Sequence, residues 1–268
     1  MSNSPNRHAE LVRMLHALHL PTMAEHCTDI AVKATKENLG LASFLYELAR
    51  LEGEGRTQRR VARYLAESGL PREKTFATLQ MERFSPLLRL QLERLQTGDF
   101  VTQASNIVAV GPPGVGKSHA LAAVGQALIQ QGVRVVWTTT ATLMQRLLAA
   151  KRDLRLPQEL ARLDRIPCLM LDDIGYVQQS QEEMEVLFTV LAERYERRSL
   201  AITTNLVFSQ WDQIFKSPLT TLAAVDRVVH HAVILDMSGV QSYRAQQAQQ
   251  AQEQQRQAHA SGVSLASS

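Results

Sequence analysis

Apolar residues recur at helical spacing through roughly the first 100 positions of the chain. Leu11, Leu15 and Leu18 share one face until Pro21 interrupts the pattern, and Thr22 is placed to cap a second helix carrying Met23, Cys27 and Ile30. A longer helical stretch begins near Ser43, with Phe44, Leu48, Leu51, Val61 and Leu65 as its apolar positions. It stops at Ser68-Gly69-Leu70-Pro71, a glycine followed by proline. Gly53 and Gly55 weaken its middle, so the pattern allows a break into two helices there. Thr97-Gly98-Asp99-Phe100 marks a junction.

From about 101 to 244 the pattern alternates between strand and helix, as a parallel sheet with crossover helices requires. The predicted strands are 107–110, 133–137, 166–171, 199–204 and 232–236. Helices are expected after the loop at 111–118, near Thr140, near Gln158 and from Ser180. The last has a capping box, Ser180-Gln181-Glu182-Glu183, before apolar Val186, Leu187, Val190 and Leu191. Residues 245–268 hold eight Gln and six Ala, a composition that predicts a weak solvated helix or a disordered tail. The expected organisation is therefore a helical domain over 1–100, an α/β domain over 101–244 with a five-stranded parallel sheet flanked by helices, and a tail.

Composition narrows the function. At 268 residues with 45% hydrophobic content, the chain can bury a core, which excludes global disorder. A net charge of only +3 excludes a polycation, so contact with nucleic acid has to rest on local clusters. Cys27 and Cys168 form neither a zinc pattern nor a disulfide framework and read as core thiols of a reducing compartment. The start lacks an apolar leader and no run of about 18 apolar residues occurs, so a cytoplasmic protein without membrane contact is expected.

Gly111-Pro112-Pro113-Gly114-Val115-Gly116-Lys117-Ser118 fits G-x-x-x-x-G-K-[ST] between a buried strand and a helix, the context of a phosphate-binding loop. Its glycines let backbone N–H groups converge on phosphates, and the helix N-terminus adds positive potential. Lys117 is expected to reach the β and γ phosphates of ATP and Ser118 to hold Mg²⁺, with the nucleotide site running from Gly111 to His119. Cys168-Leu169-Met170-Leu171-Asp172-Asp173 is an apolar strand ending in two carboxylates, where open parallel sheets place their ligands. Asp172 is positioned for Mg²⁺ and Asp173 for polarising the attacking water; on their own the two acids better suit a turn before Gly175, and the loop upstream favours the catalytic reading. Asn205, at the end of another strand, is either a sensor of the γ-phosphate or a turn residue. Arg227 is either an intramolecular salt-bridge partner or an arginine finger for a neighbouring subunit.

Several segments stand in a recognisable order: the phosphate loop, Leu171-Asp172-Asp173-Ile174-Gly175-Tyr176, Arg194-Tyr195-Glu196-Arg197, Thr204-Asn205-Leu206 with Phe208-Ser209-Gln210-Trp211, and Asp226-Arg227-Val228-Val229-His230-His231. Together they resemble the IstB-like ATPases, helper proteins of bacterial insertion sequences. Leu18-His19-Leu20-Pro21-Thr22-Met23-Ala24 and Arg59-Arg60-Val61-Ala62-Arg63 extend the resemblance to about residues 10–244. It implies an AAA+ fold, ATP-dependent self-assembly on double-stranded DNA with nucleotide at the subunit interfaces, and cooperation with a separate transposase. The same resemblance makes Lys117 and Ser118 the Walker A pair, Asp172 and Asp173 the Walker B acids, Asn205 the sensor and Arg227 the finger. The related helicase loaders and replication initiators form the nearest alternative. Three departures stand out: Asp173 where many relatives carry Glu, which implies slow hydrolysis; Val207 in place of a common Pro; and Ser238–Arg244 longer by one residue than the usual Gly-Glu-Ser-Tyr-Arg, which counts against a sensor role for Arg244. Little chain follows Arg244 for a helical lid, so closure of the site by the next subunit is expected.

Arg56, Arg59, Arg60 and Arg63 share one helical face at spacings of three and four. Such a row suits DNA phosphates, or it is a solvated face partly neutralised by Glu52, Glu54 and Glu67. Lys151-Arg152-Asp153-Leu154-Arg155 is a second candidate contact. A small-molecule P-loop kinase is a further alternative, but no acceptor pocket or closing lid is evident in the sequence.

Overall fold

The computed structural model of the chain describes residues 4–175, 180–215 and 217–243. The tail, Arg244 and Tyr176 lie outside the described residues. Two compact units divide between Arg63 and Tyr64.

The first unit contains α1 (Ser4–Ala17), α2 (Pro21–Lys36) and the first part of α3 (Leu41–Glu67). Thr22 does not cap α2. Pro21 occupies the first turn, and the Glu52 carboxylate from α3 accepts the N–H groups of Thr22 and Met23 at 2.9 and 3.1 Å. Glu52 is 4% exposed. Burial alone would raise its pKa, but the two N–H donors and the Arg59 guanidinium outweigh that and hold it below the usual carboxylate range. The break that Gly53 and Gly55 allow does not occur, and α3 runs through both glycines. Gly53 borders open space, whereas a Cβ at Gly55 would collide with the Thr22 hydroxyl, so Gly55 lets α2 approach rather than interrupting α3.

The second unit holds the end of α3, then α4 (Pro86–Leu95), α5 (Asp99–Thr102), β1 (Asn106–Val110), α6 (Lys117–Gln130), β2 (Val135–Thr139), α7 (Thr140–Arg152), α8 (Leu156–Asp164), β3 (Cys168–Ile174), α9 (Gln181–Arg194), β4 (Ser199–Thr204), α10 (Asp212–Phe215), α11 (Pro218–Val229) and β5 (Ala232–Asp236). All strand pairs are parallel, in the order β2-β3-β4-β1-β5. The five-stranded α/β architecture matches the expectation. The division at Arg63 falls upstream of the junction near residue 100, because residues 64–100 pack with the sheet. Trp137 N–H donates to Ser68 O at 2.7 Å, Gln126 donates to Pro71 O at 2.7 Å, and α4 buries Leu88, Leu92 and Leu95 beside α6 and β5.

β2 and β3 each start two residues later than predicted. Val133 N–H closes the end of α6 on Leu128 O, and Ile166 N–H closes α8 on Leu163 O, so both apolar residues serve helix ends. The α9 capping box forms as expected. Arg194, at the end of α9, is 2% exposed and donates to the carbonyls of Leu163, Ile166 and Ser199 at 2.8–2.9 Å. Burial lowers its pKa to about 10, yet it stays charged at neutral pH and pins the entries of β3 and β4 together. Trp211 is fully buried against Phe208 and Phe215, which gives its motif a core role. Both cysteines are buried and unpaired, and burial pushes the Cys168 thiol up to about 12. Among the described residues no helix is long and apolar enough to cross a membrane.

Candidate functional site

The carboxyl ends of β1, β3 and β4 converge because β4 lies between the other two. β1 feeds the loop that starts α6. Gly116, just before the helix, has φ +101°, and a Cβ on Gly111 would meet the Met237 backbone at 2.9 Å, so both positions need glycine. No side chain caps α6, which leaves its first N–H groups for an anion. Lys117 is 9% exposed, and its Nζ donates to Gly111 O and Pro112 O at 2.7 and 2.9 Å.

Asp172 is the hub of the carboxylate side. Its Oδ1 accepts from Ser118 Oγ at 2.7 Å and from Thr203 Oγ1 at 2.6 Å, while its carbonyl accepts from Thr140 Oγ1 at 3.2 Å. The β3–β4 register shifts between Leu171 and Ile174, and within that irregularity Asp173 takes φ +65°. Its N–H donates to Thr203 Oγ1 at 2.7 Å. A left-handed aspartate at a bulge is a strained device that turns its side chain out of the strand's alternation, and such strain gathers at functional sites. Asp173 is accordingly exposed while Leu171 and Ile174 are buried. Asn205 directly follows β4, and its Oδ1 is buried without a hydrogen-bond partner.

A cavity of about 360 Å³ opens beside the loop, lined by Gly114–His119 and Asp172, while Asp173, Thr203 and Asn205 are not on its wall. Gly111, Pro112 and Pro113 are not part of its wall; the first two hold Lys117 through their carbonyls. The opposite wall is one that sequence reasoning missed: Lys74, Thr78, Leu79, Gln80, Arg83, Phe84 and Tyr243. Tyr243 N–H donates to Gly114 O at 3.0 Å, and the Arg83 guanidinium stacks 5.1 Å from the Tyr243 ring centre. Despite the extra residue, the segment thus still reaches the phosphate loop at Tyr243. His119 Nε2 lies 3.1 Å from Thr78 Oγ1 and 3.2 Å from Thr75 O, tying α6 to this wall; burial is the main cause of its lowered pKa. Val207 holds φ −68°, the value a proline would impose, so that departure costs no geometry.

Arg227 is not on the cavity wall. Its guanidinium lies 4.8 Å over the Phe188 ring and donates to Ala223 O at 3.3 Å, and among the described residues it makes no ion pair. In the first unit the arginine row is divided. Arg56 and Arg59 pair with Glu52 at 3.2 and 2.9 Å and line a notch with His16 and His19, while Arg60 and Arg63 are exposed further along α3. In the second basic stretch Lys151 pairs with Glu185 and Arg155 with Asp153.

The family profile of IstB-like ATP binding proteins matches residues 13–251. The chain belongs to that family. It is 43% identical over 237 residues to the insertion-sequence ATP-binding protein y4iQ/y4nD/y4sD of Sinorhizobium fredii (strain NBRC 101917 / NGR234), covering 88% of this chain and 79% of the relative. It is 32% identical to the insertion sequence IS21 ATP-binding protein of Pseudomonas aeruginosa, covering 89% of each. Among solved structures, AMPPCP-bound DnaA from Aquifex aeolicus superposes with a TM-score of 0.53 at 15% identity, covering 64% of this chain and 51% of that one. This likeness concerns the fold, which is the AAA+ P-loop fold. Membership in an ATP-binding family supports nucleotide binding at the loop described above.

Thr203 is the residue here that no motif singles out, although it touches both acids. Thr203→Val keeps shape but removes one donor from Asp172 and the acceptor for Asp173 N–H. We expect kcat for ATP hydrolysis to fall by about 10-fold while the affinity for ATP changes little, since the lost bond to the Asp172 carboxylate is worth about 1.5–3 kcal/mol. Rescue by Thr203→Ser, read in the same steady-state assay, separates the hydroxyl's role from packing.

Proposed function

We propose that this protein is an ATP-hydrolysing helper of DNA transposition that assembles with copies of itself on double-stranded DNA, in the cytoplasm, and cooperates with a separate transposase. The observation that carries the ATPase part is the 2.7 Å contact between Ser118 Oγ and Asp172 Oδ1, which brings the loop and the β3 carboxylates to one point. A hydroxyl and a carboxylate are hard oxygen donors and fit Mg²⁺. Mg²⁺ held there would offset the charge of the β and γ phosphates. Lys117 and the N–H groups of α6 bind the phosphates, Asn205 orients the attacking water through its unpartnered amide oxygen, and Asp173 accepts the water's proton. Arg227 completes the site of the adjacent subunit. The relatives are insertion-sequence ATP-binding proteins, which supports the transposition reading. We assign contact with DNA phosphates to the arginine row of α3, where the exposed Arg60 and Arg63 lead and Arg56 and Arg59, paired with Glu52, contribute less.

The test is whether duplex DNA stimulates hydrolysis. Stimulation by a small metabolite and not by DNA would replace this reading with a kinase. Asp173→Asn refines it: ATP stays bound because only the proton acceptor is neutralised, hydrolysis falls by about 10²–10⁴-fold, and ATP-dependent assemblies on DNA persist longer. Unchanged turnover would mean that another group serves as base.

A further inference from the structure

We propose that Glu196, His230 and His231 form a surface site for a transition-metal ion such as Zn²⁺, clamping the turn after α9 to the end of α11. One ligand atom from each residue lies within 4.8 Å of the other two, and no other group of three such side chains converges in this way among the described residues. His231 Nε2 and Glu196 Oε1 are 3.8 Å apart and the two imidazole centres 4.1 Å apart. Ligands sharing one tetrahedral Zn²⁺ at ~2.0–2.2 Å stand about 3.3–3.5 Å from each other. Exposed side chains reach that spacing by small torsional changes, with no movement of the backbone.

The surroundings fit a held site. Glu196 is a non-glycine residue at φ +55°, in a turn where the N–H groups of both Arg197 and Arg198 bond to Arg194 O at 3.0 Å. The buried guanidinium of Arg194 anchors that turn to the sheet, so the strained backbone keeps Glu196 opposite the histidines. The Tyr195 hydroxyl lies 3.0 Å from His230 Nδ1 and fixes the ring's orientation, the task of an outer-shell partner. Two imidazoles and one carboxylate suit Zn²⁺ or its neighbours among the transition metals and not Mg²⁺, and three protein ligands leave a coordination position open. His230 stands one helical turn after Arg227, so an ion here would steady the end of the helix that carries it.

The experiment is equilibrium binding of Zn²⁺ to the full-length, nucleotide-free protein without an affinity tag, with the melting temperature followed in parallel. Both cysteines are buried and do not compete. The expected result is one equivalent that raises the melting temperature and is lost in the His230→Ala, His231→Ala double variant. Glu196→Gln, which preserves shape, should weaken binding by at least ~10-fold, as removing even an outer-shell partner does, and millimolar Mg²⁺ should not compete. An absence of saturable Zn²⁺ uptake by the wild type, or the same stoichiometry and affinity in both variants, would overturn the proposal. Neither outcome bears on the ATPase reading, whose site lies at the carboxyl ends of β1, β3 and β4, whereas Glu196 and the two histidines precede the amino ends of β4 and β5.

Discussion

Lys117→Ala is expected to weaken ATP binding by about 100-fold or more, because two charge-assisted bonds to phosphate oxygens, each worth about 1.5–3 kcal/mol, are lost together. Lys117 is poised for them: it is almost fully buried, and its ammonium donates to the loop carbonyls of Gly111 and Pro112, which phosphate oxygens of higher charge can replace. Titration with ATP, followed calorimetrically, reads the change directly. The variant also frees the carbonyls of Gly111 and Pro112, so a collapsed loop would give the same loss. Lys117→Met keeps the aliphatic stem and fills the same space; equal loss of binding at an unchanged melting temperature assigns the effect to the charge. Wild-type affinity in both variants would remove the loop from the nucleotide site.

The parts of this site that are readable in sequence are those whose cause is local. A strand, a glycine loop and a helix follow one another within residues 106–130, so their order is visible in one short stretch of chain. The two acids at the end of β3 are readable for the same reason. Thr203 is not, because a threonine in a strand is ordinary and its significance comes only from β4 lying beside β3. The wall formed by Lys74–Phe84 is equally hidden: nothing in that stretch reports that it folds over the phosphate loop. Tertiary partners also explain the errors in the helices. A carboxylate from residue 52 does the capping that Thr22 is placed to do, and Gly55, a helix breaker by propensity, is a point of close approach. Val133 and Ile166 extend two apolar runs but are spent closing helices. Asn205 and Arg227 are different again. Their residue types are common in turns and on surfaces, and only the order of motifs in a resembled family singles them out.

Arg227→Ala should separate assembly from nucleotide binding. Arg227 lies off the wall of its own cavity and is held by a ring stack on Phe188 and one helix carbonyl, so its loss should alter stability by no more than about 1 kcal/mol. The isolated subunit should therefore bind ATP nearly as the wild type does. Hydrolysis should nevertheless fall, by as much as about 10³-fold if the guanidinium meets the charge that develops on a neighbour's γ-phosphate. ATP-dependent oligomers on DNA should weaken too, since a charge-assisted contact across the interface is gone. Mixing this variant with Lys117→Ala gives the decisive measurement. A subunit that binds ATP but lacks the finger then sits beside one that carries the finger but binds ATP only weakly, and the composite site between them has every part. Partial recovery of hydrolysis, rising with the fraction of mixed neighbours, is the expected result. No recovery, with both variants folded and co-assembled on DNA, would mean that Arg227 serves only its own subunit, through Phe188 and the end of α11.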